Sequence, residues 1–210
     1  MRKLLLATRS ADKVREIRQI LGAAGADVVS LEEAHVGWTS AEERIEGFDS
    51  FLGNARAKAE YFAKATGLPI VADDSGLEVL SLGGQPGVRS KRFALEGGRL
   101  TGKPLDAANN AELLRRLLGA PTPRRRASYV CVAVLVRGVG ALPEAFTGRC
   151  WGYVLDAPRG AHGFGYDPLF YFEGLGKTFG EASDEEKHAV SHRGAAFRQV
   201  ADALAAAPLV

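Results

Sequence analysis

Apolar positions at the start of the chain change from a continuous run to a helical period. Residues 3–7 form a short apolar run, which predicts a β-strand, and a polar turn follows it. Val14, Ile17 and Leu21 then recur on one helix face, so we predict a helix over residues 12–21. The order strand, turn, helix is typical of an α/β fold.

The same alternation continues after a charged loop at residues 40–49. An apolar stripe predicts a helix over residues 51–66, and Gly67 is placed to end it. Residues 68–72 are predicted to form the next strand, ending at an acidic tetrapeptide. Residues 83–102 are polar and rich in glycine, and their pattern predicts no regular element.

The second half of the chain has a different pattern. A helix is predicted over residues 107–118, and valine-rich runs at 129–136 and 144–155 predict an antiparallel pair of strands. The last helix is predicted to begin at Ser183, with an acidic residue three positions later completing a capping box, and to continue without a break. We therefore predict an α/β fold in which helices flank a mixed β-sheet.

Composition narrows the class of protein. The 210 residues are 46% hydrophobic and 25% charged, which suits one globular domain over residues 1–210 without a linker. No apolar run is long enough to cross a membrane, and the run after the charged N-terminus is too short for a signal peptide, so we expect a cytoplasmic protein. Cys131 and Cys150 lie in apolar surroundings and are predicted to be buried and reduced.

The charge balance argues against stable binding of nucleic acid. The formal net charge is only +2, and the basic run at residues 124–126 follows two prolines, as a solvated loop would. The sequence also lacks a phosphate-binding P-loop, a dinucleotide glycine motif and a nucleophile elbow. These absences argue against kinase, Rossmann and covalent hydrolase chemistry.

Three lysines occupy positions where an anion would be expected. Lys13 and Lys187 lie near predicted helix starts, which favour phosphate binding, and Lys58 lies beside the apolar stripe of its helix. An inward lysine needs an anionic partner or a solvated cleft. Each lysine alone is better explained as a surface residue, but the three together favour a polyanionic ligand.

Carboxylates supply the counterpart to these lysines. Asp73 and Asp74 follow a predicted strand directly, where α/β folds place their sites, and could hold Mg²⁺ and activate water. A polar turn would explain this tetrapeptide equally well. Glu42, Glu43 and Glu46 crowd the loop before the second helix, and one of them could complete a metal site.

Two further motifs could surround a ligand. Glycines flank Phe164 in the segment 163–168, so the backbone can approach a ligand while the ring offers a stacking face. His192 and Arg193 precede Gly194, a residue that weakens a helix interior. A structural turn and a surface His-Arg pair would explain the two motifs as well.

Taken in order, these segments resemble the inosine triphosphate pyrophosphatase family, whose members are also described as dITP/XTP pyrophosphatases. Each match is weak alone, but the ordered set spans nearly the whole chain and is highly specific. The matching segments are 7–8 with 13–16, 46–54 with Lys58, 72–77, 83–88, 163–168, 186–187 and 191–194.

The resemblance implies a fold, an assembly and a reaction. The fold would be an elongated mixed β-sheet with two lobes and a central substrate cleft, and a homodimer would be the usual assembly. The reaction would be the Mg²⁺-dependent hydrolysis of ITP, dITP and XTP to the monophosphate and pyrophosphate.

The resemblance also assigns residues. Asp74 would be the general base, in a Mg²⁺ region formed with Glu46 and Asp73. The residues implied for the triphosphate are Thr8, Arg9, Ser10, Lys13 and Lys58, and those implied for the nucleoside are Ser75, Phe164, Gly165, Tyr166, Asp167, Lys187, His192 and Arg193.

This chain departs from the family pattern at Ser10, where asparagine is usual. Serine can still cap a helix and donate to phosphate, so we expect activity to survive. Two alternatives stay open: a Maf-like pyrophosphatase acting on pyrimidine or modified nucleotides, and a non-catalytic nucleotide- or RNA-binding protein. The second alternative would not need Glu46, Asp73 and Asp74 together.

Overall fold

The computed structural model describes residues 3–94 and 100–209. Contacts group the chain into two compact units. The first unit contains Met1–Asp74, Cys131–Gly148 and His192–Val210, and the second contains Ser75–Val130 and Arg149–Ser191. Among the described residues, no helix has the length and hydropathy that a membrane-spanning helix needs.

The strands form one seven-stranded sheet. They are β1 Leu4–Leu6, β2 Val28–Ser30, β3 Ile70–Val79, β4 Arg126–Val136, β5 Glu144–Val154, β6 Phe170–Phe172 and β7 Lys177–Thr178. Their order is β2-β1-β3-β4-β5-β6-β7. The strand β1 is parallel to β2 and β3, whereas β6 is antiparallel to β5 and β7. The sheet is therefore mixed, as the sequence predicts.

Helices and short 3₁₀ turns connect these strands. The α-helices are α1 Ala11–Ala23, α2 Glu42–Ile45, α3 Phe51–Thr66, α4 Gly102–Arg116, α5 Asp184–Val190 and α6 His192–Ala206, and 3₁₀ turns span Leu80–Leu82, Gly87–Arg92 and Thr122–Arg125. The α/β class is confirmed.

The helix predicted over residues 51–66 is confirmed at both ends. The Ser50 side chain caps α3 by accepting a hydrogen bond from the Gly53 N–H. Gly67 ends it at φ 72°, a conformation that glycine adopts without strain. Local sequence chemistry is sufficient here, because an N-cap and a C-terminal glycine bracket an apolar stripe.

The acidic tetrapeptide is not at a strand end, and this part of the prediction is wrong. The strand β3 continues from Ile70 through Asp73 and Asp74 to Val79. Successive strand residues face opposite sides of a sheet. Asp73 is fully buried and Asp74 is half-buried, so the two carboxylates have different surroundings although they are adjacent in sequence.

The prediction of one continuous last helix is also wrong. The predicted capping box is present, because Ser183 and Glu186 exchange both of its hydrogen bonds. The helix nevertheless ends at Val190, Ser191 is extended at ψ 157°, and α6 begins at His192. Gly194 therefore lies in the first turn of a new helix and not in a helix interior.

Three smaller predictions differ in extent. The helix α1 continues past Gly22 to Ala23, the loop predicted at residues 40–49 contains the short α2, and α4 begins at Gly102 and not at residue 107. The predicted irregular segment 83–102 includes a 3₁₀ turn, and its residues 95–99 lie outside the described residues.

Each unit has its own apolar core. In the first unit, α1 and α6 pack on the sheet through residues that include Ile17, Leu21 and Phe197. In the second unit, Tyr129, Phe170 and Phe179 form an aromatic cluster, with ring centroids 4.7 to 6.0 Å apart. Cys131 and Cys150 are buried and free, as predicted.

The close approach of β5 to α6 gives a stability prediction. A Cβ at Gly148 would lie 2.0 Å from the His192 carbonyl oxygen and 2.6 Å from the Ala196 nitrogen, and both are backbone atoms. The backbone has to move to remove this steric overlap, so we expect Gly148→Ala to lower the free energy of unfolding by about 1–3 kcal/mol. Urea denaturation measures this change. Gly138→Ala is the control, since a Cβ there meets nothing within 4 Å, and equal midpoints for the two variants would contradict the close approach.

Candidate active site

A buried cluster of charges lies in the first unit, where α1, β3 and α6 meet. Lys13 Nζ lies 2.8 Å from Asp73 Oδ2. Arg193 Nη1 donates to Glu16 Oε2 at 2.5 Å, and its Nε lies 3.9 Å from Asp73 Oδ2. Both carboxylates are almost inaccessible, at 1% exposure for Glu16 and 0% for Asp73. Buried charges persist only when they are paired, and this cluster pairs them across three elements.

The cluster keeps Asp73 ionised. Burial by itself would raise the pKa of Asp73, but the charges of Lys13 and Arg193 hold that pKa at about 2. The Cys131 thiol lies 3.9 Å from the same carboxylate, and burial together with this negative charge raises its pKa. Cys131 is therefore a protonated thiol, which agrees with the absence of thiol chemistry inferred from the sequence.

Asp74 has a different partner, the side chain of Asn54 on α3. Asn54 Nδ2 donates to Asp74 Oδ2 at 2.9 Å, and Asn54 Oδ1 accepts from the Phe48 N–H at 2.9 Å. One amide therefore links the carboxylate to the loop that follows Glu46. Burial raises the pKa of Asp74, and the charges of Lys13 and Lys58 oppose this shift.

Lys58 joins the loop before α3 to the strand. Its ammonium forms an ion pair with Glu46 and donates to the Asp73 carbonyl oxygen at 2.8 Å. Burial opposes the ionisation of Glu46, but the charge and hydrogen bond of Lys58, together with the charge of Lys13, lower its pKa. The inward-facing lysine of the sequence analysis is thus buried and paired, as its position beside the apolar stripe requires.

The predicted magnesium residues can be tested for fit. Among the described residues, no three carboxylate, imidazole or thiol groups are already arranged to hold a metal ion. Mg²⁺ usually takes one or two carboxylates and completes its shell with water and substrate phosphates. Glu46 and Asp74 act on each other electrostatically, and Asp73 Oδ1 is buried without a hydrogen-bond partner in the described part of the chain. The carboxylate oxygens present are the ligand type that a hard cation prefers, although Glu46 and Asp73 are each paired with a lysine.

The turn between β1 and α1 has the local structure of an anion site. Ser10 caps α1, and its Oγ accepts from the Lys13 N–H at 3.4 Å. Thr8 Oγ1 accepts from the Ser10 N–H at 3.2 Å. Serine therefore performs the capping that the sequence analysis expects of it, and the free N–H groups of a helix start favour an anion.

Arg9, also predicted for the triphosphate, has its guanidinium bound elsewhere. It donates to both carboxylate oxygens of Glu42, at 3.1 and 2.8 Å, and to the Val36 and Gly37 carbonyl oxygens. The hydrogen bonds to Glu42 raise the pKa of Arg9. In this arrangement Arg9 holds the loop before α2, and its contact with phosphate stays a prediction.

The second unit contains the other predicted group, centred on Asp167. Lys187 Nζ lies 2.6 Å from Asp167 Oδ2, and the Tyr129 hydroxyl donates to Asp167 Oδ1 at 3.2 Å. Lys187 is only 2% exposed, and its ammonium lies 5.0 Å from the centroid of the Phe164 ring. Asp167 therefore holds a lysine beside an aromatic face, an arrangement typical of a cation–π contact.

The glycine-flanked loop around Phe164 is tightly folded. The Phe164 N–H donates to Asp167 Oδ2 at 2.8 Å, and the Tyr166 hydroxyl donates to the Ser90 carbonyl oxygen at 2.8 Å. Gly163 has φ 69°, and a Cβ there would lie 2.1 Å from Asp167 Oδ2. The motif needs this glycine because the aspartate occupies the space of a side chain.

The remaining predicted residues lie beside these groups. Ser75 follows Asp74 on β3 and is half-buried. His192 is 3% exposed in the first turn of α6, next to Arg193. Arg193 is buried against Glu16 and Asp73, so its described contacts position the strand carboxylate. Contacts of these three residues with a nucleoside stay predictions.

Three residues of these groups have no role assigned in the sequence analysis, although Glu16 and Asn54 lie within its matching segments. Asn54 and Glu16 lie on the same helix faces as Lys58 and Lys13, four and three positions away. A polar residue on a buried helix face was therefore a usable indication for both. Tyr129 gave no such indication, since an aromatic residue in a valine-rich strand is ordinary core.

Comparisons with known proteins find matches to nearly the whole chain. A family model described as the Ham1 family matches residues 4–203. The chain is 45% identical to a dITP/XTP pyrophosphatase of Yersinia pseudotuberculosis serotype I over 205 residues, which cover 97% of this chain and 98% of that protein. It is also 45% identical to a dITP/XTP pyrophosphatase of Thermus thermophilus, covering 98% and 93% of the two chains. A solved structure of a HAM1 protein from Coxiella burnetii is 35% identical, with a TM-score of 0.84 and coverage of 99% and 100%.

The buried ion pair between α1 and α6 gives a second stability prediction. Glu16→Gln keeps the shape of the side chain but removes the charge that faces Arg193. Because a buried guanidinium then loses its counter-charge, we expect the free energy of unfolding to fall by about 3 kcal/mol. Chemical denaturation measures the change, with Glu32→Gln, at an exposed position, as the control. A Glu16→Gln variant as stable as the control would show that the ion pair does not hold the two helices.

Proposed function

Because this chain belongs to the Ham1 family, we propose that it hydrolyses the non-standard purine nucleoside triphosphates ITP, dITP and XTP. The products would be the nucleoside monophosphate and pyrophosphate. The names of the relatives, dITP/XTP pyrophosphatases at 45% identity over nearly the whole chain, support this substrate class.

The observation that carries the proposal is the environment of Asp74. Its carboxylate is held by Asn54 at 2.9 Å, and burial raises its pKa while the charges of Lys13 and Lys58 oppose that shift. A partly desolvated carboxylate of fixed orientation is suited to general base catalysis. Asp74 would accept the proton of a water whose oxygen attacks the α-phosphorus, while the bond from that phosphorus to the bridging oxygen breaks and pyrophosphate leaves.

Charges in the first unit support a polyphosphate substrate and a divalent cation together. Lys13 and Lys58 are the cations proposed to meet the phosphates, as charge builds on the leaving pyrophosphate. Counting Arg193 as well, three cations face four carboxylates, which are Glu16, Glu46, Asp73 and Asp74. This excess of negative charge disfavours a triphosphate unless a further cation accompanies it.

We propose that this cation is Mg²⁺. Glu46 and Asp74 would hold it, with Asp73 next to them, and the remaining positions would go to water and phosphate oxygens. When bound, Mg²⁺ supplies neutralising charge to the phosphates. The protein's own part is to orient the carboxylates, through Asn54 for Asp74 and Lys58 for Glu46.

The family resemblance assigns the purine to the group of residues around Asp167. Phe164 would stack on the base, and the Lys187 ammonium, held by Asp167, would be a donor for the 6-keto oxygen. An adenine amino group at that position brings its own donor, so the buried donor of the protein would stay unpaired. Such a mismatch is costly and would discriminate against ATP.

A homodimer and a cytoplasmic location are further parts of the proposal. The homodimer rests on the family resemblance, and the location follows from the proposed activity, since a nucleotide pool enzyme needs access to free nucleotides. Sedimentation analysis at several protein concentrations tests the first, with a monomer at every concentration as the contrary result. Fractionation of cells that express the protein tests the second.

A substrate panel tests the activity. Pyrophosphate release is measured from ITP, XTP, dITP, ATP, GTP and dTTP, each with Mg²⁺ and with EDTA. We expect metal-dependent release from the first three far above that from ATP and GTP. Release from dTTP instead would indicate a Maf-like preference, and no release from any nucleotide would favour a binding protein.

Replacement of the proposed base gives a sharper prediction. Asp74→Asn removes the proton acceptor but keeps the shape, so we expect kcat for ITP to fall by about 10²- to 10⁴-fold. Binding of ITP, measured by calorimetry, should be largely retained. Asp202→Asn, at an exposed position of α6, is the control and should match the wild-type protein. Turnover close to normal in Asp74→Asn would remove Asp74 from the role of general base.

A further inference from the structure

Two side chains of α4 bind both backbone groups of a single glycine in the Phe164 loop. Asp106 Oδ2 accepts a hydrogen bond from the Gly165 N–H at 2.8 Å. Asn110 Nδ2 donates to the Gly165 carbonyl oxygen at 2.9 Å. Asp106 and Asn110 are four positions apart and so lie on the same helix face, which lets one helix hold both ends of this residue.

The backbone on either side of Phe164 is consequently fixed. Its own N–H donates to Asp167 Oδ2 at 2.8 Å, and the next N–H, that of Gly165, is held by Asp106. Gly165 has φ 63° and a Cβ there would meet nothing within 4 Å, so its conformation and not crowding requires a glycine. The direction in which the loop presents the Phe164 ring therefore depends on α4.

The neighbouring asparagine has a different task. Asn109 Oδ1 accepts from the Phe93 and Ala94 N–H groups at 3.1 and 2.9 Å, and its Nδ2 donates to the Lys91 carbonyl oxygen at 3.2 Å. Asn109 thus orders the chain after the 3₁₀ turn at Gly87–Arg92. The two adjacent amides serve separate segments, so an effect of Asn110 is separable from general disturbance of α4.

We propose that Asp106 and Asn110 are positioning residues for recognition of the purine base. They act through Gly165 on Phe164, whose ring lies 5.0 Å from the Lys187 ammonium. The inference rests on the proposed function, because it assumes that Phe164 stacks on the base. When the stacking ring is already held in place, less conformational entropy is lost on binding, and KM is lower.

Two substitutions keep the shape of the original side chain and change only its hydrogen-bonding groups. They distinguish the loss of a hydrogen bond to Gly165 from a general disturbance of α4. Asn110→Asp replaces the donor by an acceptor-only carboxylate that faces the Gly165 carbonyl oxygen. Asp106→Asn keeps an acceptor oxygen for the Gly165 N–H and should preserve that hydrogen bond. Glu112→Gln is the matched control, since Glu112 lies on the same helix and pairs only with Arg115 and Arg116 in the described hydrogen bonds and ion pairs.

The measurements are KM and kcat for ITP and ATP, and the Ki of inorganic tripolyphosphate as an inhibitor that has no base. For Asn110→Asp we expect a roughly tenfold rise in KM for ITP, the effect of one lost hydrogen bond, with kcat changed less than about twofold. The Ki of tripolyphosphate should stay unchanged. Glu112→Gln should behave as the wild-type protein, and Asp106→Asn should raise KM for ITP less than Asn110→Asp does, because it keeps an acceptor for the Gly165 N–H.

Contrary results are equally defined. An unchanged KM for ITP in Asn110→Asp would overturn the inference while leaving the proposed function intact. A Ki of tripolyphosphate that rises in step with KM would also overturn the inference. The hydrogen bond of Asn110 to Gly165 would then affect phosphate binding as well as recognition of the base. Asn110→Ala, which adds no charge to α4, is the second variant if Asn110→Asp fails to fold, with the same expectations. A wild-type protein without turnover of ITP, XTP or dITP would remove the proposed function, and the inference with it.

Discussion

The first unit depends on one fully buried carboxylate in the middle of a strand. Asp73 is reached by Lys13 of α1 and Arg193 of α6, and its backbone carbonyl accepts from Lys58 of α3. A buried charge is tolerated only with counter-charges at close range. Contacts with this residue therefore link three helices to β3. The half-buried Asp74 next to it lies among side chains that these contacts already hold in place.

The second unit repeats the principle with a different carboxylate. Asp167 accepts hydrogen bonds from Lys187, Tyr129 and the Phe164 N–H. It fixes a lysine and an aromatic ring within one compact loop, which α4 holds from outside. Hydrogen bonds and ion pairs within the protein hold both groups, and groups that the protein itself orients need less reorganisation for binding and catalysis.

Much of the fold was predictable where local chemistry is sufficient. The ends of α3 follow from Ser50 and Gly67, and the capping box at Ser183 is present as predicted. Two predictions failed for reasons beyond the local sequence. The strand β3 continues through Asp73, whose charge is balanced by cations that are distant in sequence but close in space. The last helix breaks at Ser191, which is extended. Neither outcome is visible in a window of neighbouring residues.

The sequence by itself determined the α/β class, the mixed sheet, the bounds of α3 and, through its ordered motifs, the family. It also identified the chemical types at the candidate site. Only the tertiary structure decided which charges meet: Arg9 binds Glu42, Arg193 binds Glu16, and Asn54 binds Asp74. Glu16 and Arg193 are 177 positions apart. Pairing across such separations is set by the packing of whole helices and strands, and periodicity along the chain contains no information about it.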